Sequence, residues 1–231
     1  SAAGNDLTLA EVYAEGGNTE AALAKFNNDT RELGYTVDIN TRRQLASALM
    51  AGGNAAAGME ILSTENVRNI SLIALYYATA KVGGRLGIIR PEGTANANTP
   101  YDGNLTPYFA PVDSQTRQAE SVIAAQIEAE LDKFAAPLPP SAEWMGSSSP
   151  DTIYAMLALI QQKLGAPDKA SALVKKSEDA RVRLSPPGSN PPDSQTPATE
   201  FQLLVALGQG DPDRAAALLP RVQPVGTDPF P

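Results

Sequence analysis

Ten residues near the C-terminus, GDPDRAAALL (residues 210–219), restate an earlier ten, GAPDKASALV (residues 165–174). A cassette written more than once constrains the fold more than any composition figure, because a repeated segment implies a repeated structural unit. A Gly followed five positions on by a small residue, and nine positions on by a large apolar one, frames the unit. The copies are Gly17/Ala22/Phe26, Gly53/Gly58/Leu62, Gly165/Ala170/Val174 and Gly210/Ala215/Leu219. Upstream, the first three carry Leu9-Ala10, Leu45-Ala46 and Leu157-Ala158 at matching offsets. The pattern predicts a helix, a Gly turn and a second helix in each unit. Gly tolerates the left-handed conformation that ends a helix. Asp211 as N-cap with Pro212 behind it, and Pro167 with Asp168, supply helix-start signals. Small residues at Ala10 and Ala22 are expected to let two antiparallel helices approach, with Tyr13 and Phe26 filling the space beside them.

Between the copies the pattern changes. Residues 66–82 read as another first helix, with Ile70, Ile73, Tyr77 and Ala80 on its inner face. A loop over 83–112 follows, too long for an ordinary connection. Asp113 then caps a helix striped by Ile123, Ile127, Leu131 and Phe134. A Pro-rich linker leads to Ser149-Pro150-Asp151, a second N-terminal signal, and a Pro-rich insertion at 185–198 separates the last two copies. The organisation expected is 1–82 as N-terminal helical repeats, 83–112 as an insertion, 113–149 as a helix plus linker, and 150–231 as C-terminal repeats.

The segments LAEVYAEGGNTEAALAKF (residues 9–26), LASALMAGGNAAAGMEIL (45–62) and LALIQQKLGAPDKASALV (157–174) resemble tetratricopeptide repeats. The match covers roughly half the chain. It departs from that family's pattern in lacking the signature Trp, in placing Gly34 where a Pro usually closes the first repeat, and in carrying Gln202-Leu203 instead of Leu-Ala in the last copy. The resemblance implies an all-α antiparallel helix-pair solenoid whose first helices line a concave groove. Carried onto this sequence, the groove positions are Glu11, Glu15, Asn40, Arg43, Gln44 and Ser47, mixed in charge and suited to holding an extended peptide. A second set of partner-binding candidates is aromatic: Tyr101, Tyr108 and Phe109 in the insertion and Trp144 in the linker, a residue class enriched at interfaces.

Chemistry is excluded more than it is indicated. The chain has no His and no Cys, which removes the commonest general base, the thiol nucleophile and the usual zinc ligands. Glu128, Glu130 and Asp132 are the densest carboxylates, but only Glu128 and Asp132 share a helix face, and a solvated face is expected. GGRLG (residues 83–87), with Arg85 and Arg90, lacks the spacing of a nucleotide loop and reads as a helix stop. Ser171 and Lys175 are four apart in a hydrophilic run and read as solvated. Sequons occur at Asn28, Asn69 and Asn104, and three such triplets arise easily by chance in an Asn-rich chain. A net charge of −8 over 231 residues argues against nucleic acid and anionic membrane as partners, and no apolar run is long enough to span a bilayer. The start SAAGND points toward export, to the periplasm or outside, with a cytoplasmic site left open. The expected function is a non-enzymatic adaptor for a protein or peptide partner in a bacterial envelope or secreted assembly, with no cofactor and no metal. The alternatives are a self-associating subunit of a filament, pore collar or shell and, more weakly, a carboxylate-dependent enzyme on a sugar polymer.

Overall fold

The computed structural model describes residues 2–33, 38–62, 68–89, 108, 110–135, 148–184 and 197–222. Among these residues every regular element is helical and no strand occurs. The helices are α1 (Ala2–Glu15), α2 (Thr19–Leu33), α3 (Ile39–Ala51), α4 (Ala55–Leu62), α5 (Arg68–Arg85), α6 (Ser114–Ala135), α7 (Pro150–Lys163), α8 (Pro167–Leu184), α9 (Pro197–Gln209) and α10 (Pro212–Leu218), followed by a short turn, Leu219–Arg221. None is long and apolar enough to cross a membrane.

The four repeated glycines adopt one conformation. Gly17, Gly53, Gly165 and Gly210 all have positive φ, between 68° and 96°. Each donates its N–H to the carbonyl three residues back: Ala14 at 3.0 Å, Met50 at 3.1 Å, Gln162 at 3.1 Å and Leu207 at 3.1 Å. The following residue closes a wider ring, as in Asn18 to Tyr13 at 2.9 Å and Asp211 to Ala206 at 3.0 Å. This pair of bonds is the Schellman motif, which satisfies carbonyls orphaned at a helix end. The residue after each Gly then starts the next helix. Asn18, Asn54 and Asp211 accept from the amides of Ala21, Ala57 and Arg214 at 3.0–3.1 Å, as N-cap side chains do. In the third copy Ala166 holds that place and Pro167 opens the helix.

The chain divides into two compact units, residues 1–82 with 118–137 and residues 83–117 with 138–231. In the first, α1 packs on α2 and on α3, and α3 packs on α4. Ala10, Ala14, Ala22, Phe26, Leu45, Ala48 and Leu49 form one buried cluster. Ala22 is thus where the repeat frame puts it. Tyr13 is not, because it is 38% exposed; with three alanines in contact at that crossing the ring has no room, and Ala14 takes the inner place. On α5 the buried stripe is Leu72, Leu75, Thr79 and Val82, and the expected face of Ile70, Ile73, Tyr77 and Ala80 is only half-buried. Both stripes have helical spacing, and the one without the tyrosine went inside. On α6, Asp113 caps as expected, accepting from Thr116 N at 2.9 Å and Thr116 Oγ1 at 2.6 Å, and Ile127 and Leu131 are buried.

In the second unit α7 packs on α8 and on α9, and α9 on α10. Helix α7 is buried from Pro150 through Gln161, in keeping with a sequence apolar on all sides. Each fully buried Leu or Ile there contributes about 1.5–3 kcal/mol. At Gly83 the side chain of Ile89 lies where a Cβ would stand, 2.4 Å from it, and Gly87 has φ +71°, so GGRLG is a helix stop. The ninth position of the last copy, Leu219, is 62% exposed. Helix α10 ends one residue earlier, and Leu218 is buried in its stead.

Candidate functional site

The groove positions lie on α1 and α3, and four of the six carry their side chains outward or to a rim. Asn40, Gln44 and Glu15 are exposed, and Glu11 is partly buried. Ser47 is not on the face: it is 1% exposed, and its hydroxyl donates to the carbonyl of Arg43 at 2.7 Å, a back-bond that turns it inward. Arg43 is also not fully exposed. Its guanidinium carbon stands 5.2 Å from the centroid of the Tyr77 ring, a cation–π contact, and its Nε is buried with no hydrogen-bond partner.

Two residues of α5 that the groove assignment did not include complete the face. Tyr77 lies under Arg43, and Lys81, one helical turn further on, makes an ion pair with Glu15. Glu11 joins the same cluster. Burial raises its pKa above the ordinary carboxylate range, Lys81 opposes that rise and the Glu15 charge adds to it. Tyr76 meets Tyr77 edge to face at 5.5 Å. The signal for Tyr77 and Lys81 was present in the sequence: residues 66–82 read as a first helix, so the groove frame extends onto them. The face offers amides, a hydroxyl-bearing ring and paired charges. It can hold polar groups by hydrogen bonds.

Of the aromatic candidates, Tyr101, Phe109 and Trp144 fall outside the described residues. Tyr108 is half-buried in the second unit, beside Ala110, Lys163 and Gly208. The remaining candidate groups named from the sequence are engaged in local pairs. Glu130 pairs with Lys133 at 2.7 Å, Lys175 with Asp179 at 3.1 Å, and Ser171 accepts from Gln209 at 2.9 Å.

A buried polar seam in the second unit was not foreseen. Ser177 of α8 donates to the backbone carbonyl of Asp151 at 2.7 Å, and Gln202 of α9 donates to the Ser177 hydroxyl at 3.0 Å. Ser149, at the N-cap of α7, does not bond the helix amides; its hydroxyl donates to the Asp151 carboxylate. Burial raises the pKa of Asp151, against the pull of that hydrogen bond and of the Arg181 charge. Compared with known proteins, the chain matches no family model, no curated protein and no solved structure.

Proposed function

We propose that the chain is a non-enzymatic helical-repeat adaptor of tetratricopeptide type, and that it holds an extended polar peptide along the face built from α1, α3 and α5. The observation that carries the reading is the convergence of Glu11 and Glu15, Arg43, and Tyr77 with Lys81, one set from each of three helices, on shared contacts. Two further facts support a repeat. The same Schellman turn recurs at all four cassettes, and in each unit the first helix of one pair packs on the first helix of the next, α1 on α3 and α7 on α9.

The test uses peptides selected from a random library on the full chain, titrated calorimetrically. Asn40→Ala with Gln44→Ala removes two exposed amides and is expected to weaken the selected peptides about tenfold with an unchanged melting temperature. Selected peptides indifferent to both changes and to Lys81→Ala would refute the face. A self-assembling subunit is the second reading, favoured by Leu9, Val12 and Tyr13, which lie exposed on consecutive turns of α1. Sedimentation of the full chain as a monomer at high concentration would remove it.

A further inference from the structure

Leu9, Val12 and Tyr13 stand eight, five and four residues before the glycine of the first cassette, Gly17. They are 39%, 60% and 38% exposed. The second cassette has Leu45, Ala48 and Leu49 at those places, and the third has Leu157, Ile160 and Gln161. In the fourth they are Gln202, Val205 and Ala206. Each of these later residues is at most 2% exposed. In the second cassette the preceding helix pair covers them: Leu45, Ala48 and Leu49 share one buried cluster with Ala10, Ala14, Ala22 and Phe26 of α1 and α2. In the fourth, α9 packs on α7 and Gln202 bonds Ser177 of α8. The leading face of α1 has the form that a helix pair covers, and it stands bare.

The covering side follows the same frame. Ala14 and Phe26, three residues before and nine after Gly17, pack with Leu45 and Leu49 of α3 and are 1% and 7% exposed. Their counterparts in the second cassette, Met50 and Leu62, are buried as well. In the last cassette the counterparts are Leu207 and Leu219, 42% and 62% exposed. They hold the covering positions and face solvent. The glycines agree with this frame. Gly52 lets the Ala14 carbonyl oxygen come within 1.8 Å of where a Cβ would stand. Gly16 is its counterpart in the first cassette, and a Cβ there would meet Val12 O at 3.3 Å and Tyr13 O at 3.6 Å, both from its own helix. The space that admits a neighbour's carbonyl at Gly52 is thus kept open at Gly16.

We propose that copies of this chain join head to tail, Leu9, Val12 and Tyr13 of one copy packing on Leu207 and Leu219 of the next, with Gly16 admitting the Leu207 carbonyl. A second copy is the occupant because each face lacks what the other supplies: α1 lacks a covering helix pair, and α9 with α10 is a pair whose covering side is open. A stack of helix pairs stays dispersed when its terminal faces are polar, and these two carry apolar side chains. The faces differ from one another, so the contact is heterologous and passes on from copy to copy instead of closing as a two-fold dimer. The proposal rests on the helix-pair repeat and sharpens the self-association reading above. The peptide face uses other residues of α1, α3 and α5, and stands or falls separately.

The experiment is sedimentation velocity of the full chain over a range of concentrations, in which the wild type should grow past the dimer. Val12→Glu and Leu207→Glu each place a carboxylate on one face, at an exposed site, so the melting temperature should hold. Either variant alone should raise the dissociation constant about a hundredfold, because assembly would bury an unpaired charge. Mixed one to one, the variants keep a single intact contact, the Leu207 face of one against the Val12 face of the other, and should form a heterodimer that grows no further. Gly16→Ala should weaken assembly about tenfold by filling the space for the carbonyl. Assembly unchanged by either glutamate variant, or a mixture without heterodimer, would overturn the head-to-tail contact and leave self-association through another surface standing. A wild type monomeric at every concentration would overturn both. Gly16→Ala protein assembling as the wild type does would overturn the part given to Gly16.

Discussion

Gly52→Ala is the sharpest test of how the first two helix pairs meet. Gly52 ends α3 with φ −81°, a conformation any residue adopts, so backbone freedom is not what requires glycine here. A Cβ at this position would stand 1.8 Å from Ala14 O and 2.9 Å from the Ala14 carbonyl carbon. Both obstacles are backbone of α1, and neither can swing aside as a side chain could. Relief requires α1 and α3 to part, which puts the cost at the upper end of overpacking, about 3 kcal/mol. Alanine restricts the unfolded chain and returns about 0.4–1 kcal/mol, leaving about 2 kcal/mol. For a unit of about 100 residues that lowers the melting temperature by about 8–16 °C. Thermal unfolding by far-UV circular dichroism gives the size, and amide exchange gives the place: protection should fall at Leu45, Ala48 and Leu49 and hold at Leu157 and Ile160. Gly165 is the contrast, with φ +79° and nothing within 4 Å of a Cβ. Its cost is conformational, so Asn, which tolerates the left-handed region, should recover much of the loss from Gly165→Ala and none of the loss at Gly52. A Gly52→Ala protein within about 0.5 kcal/mol of the wild type would refute the close approach of α1 to α3.

Ala22→Leu should overpack the α1–α2 crossing and cost about 1–3 kcal/mol in urea unfolding; a neutral result would misplace the repeat frame. Asn54→Ala removes the cap on Ala57 N at 3.0 Å and should cost about 1 kcal/mol in the same assay. Lys81→Ala breaks an ion pair whose partners are 39% and 43% exposed and should change stability by less than about 1 kcal/mol, leaving peptide affinity as its readout. Asp151 has a raised folded pKa because burial disfavours its charge, so its contribution is fully present below the ordinary Asp pKa of about 3.9 and is lost as pH rises through the folded value. Asp151→Asn should therefore gain on the wild type as pH rises from about 4 to 7 in paired urea titrations, and a constant difference would show that the carboxyl titrates normally. Asp38 and Asp113 have the opposite sign. Side-chain hydrogen bonds from Thr41 and Thr116 lead the causes that lower their pKa values, so their stabilisation is lost as pH falls through those values, and carboxyl NMR titrations should find both below the ordinary range.

What was legible in the sequence was whatever a short local pattern controls. The four glycines, the caps at Asp113 and Asp211, and the inward Ala22 are set within a few residues of themselves, because a Schellman turn and an N-cap are completed by near neighbours. Which of two apolar stripes goes inside is not local. On α5 the chain offers Ile70-Ile73-Tyr77 and Leu72-Leu75-Thr79 at equal helical spacing, and only the packing partners choose. Tyr13 failed for the same reason, since Ala14 beside it fits the crossing that Ala10 and Ala22 make narrow. Partners distant in sequence were missed entirely, as with Glu15 and Lys81 or Ser177 and Gln202.

Gln202 shows how a departure from a sequence pattern can be informative. The last cassette reads Gln202-Leu203 where the others read Leu-Ala, and from sequence alone that is decay. In the fold Gln202 is 1% exposed and donates to Ser177, which in turn donates to the Asp151 carbonyl, so this one side chain ties α9 to α8 and α7. Such a bond contributes little net stability, about 0.5–1.5 kcal/mol, yet a slipped helix would leave each of these buried groups unpaired at a greater cost. The seam therefore fixes the register of helices whose apolar surfaces would tolerate several. On α1, α3 and α5 polar residues converge instead on a partly open face, where Asn40 and Gln44 are exposed and incur no comparable penalty for standing unpaired. In the adaptor reading proposed above, polar groups that register does not require, gathered on one face from three helices, are the ones a bound peptide would use.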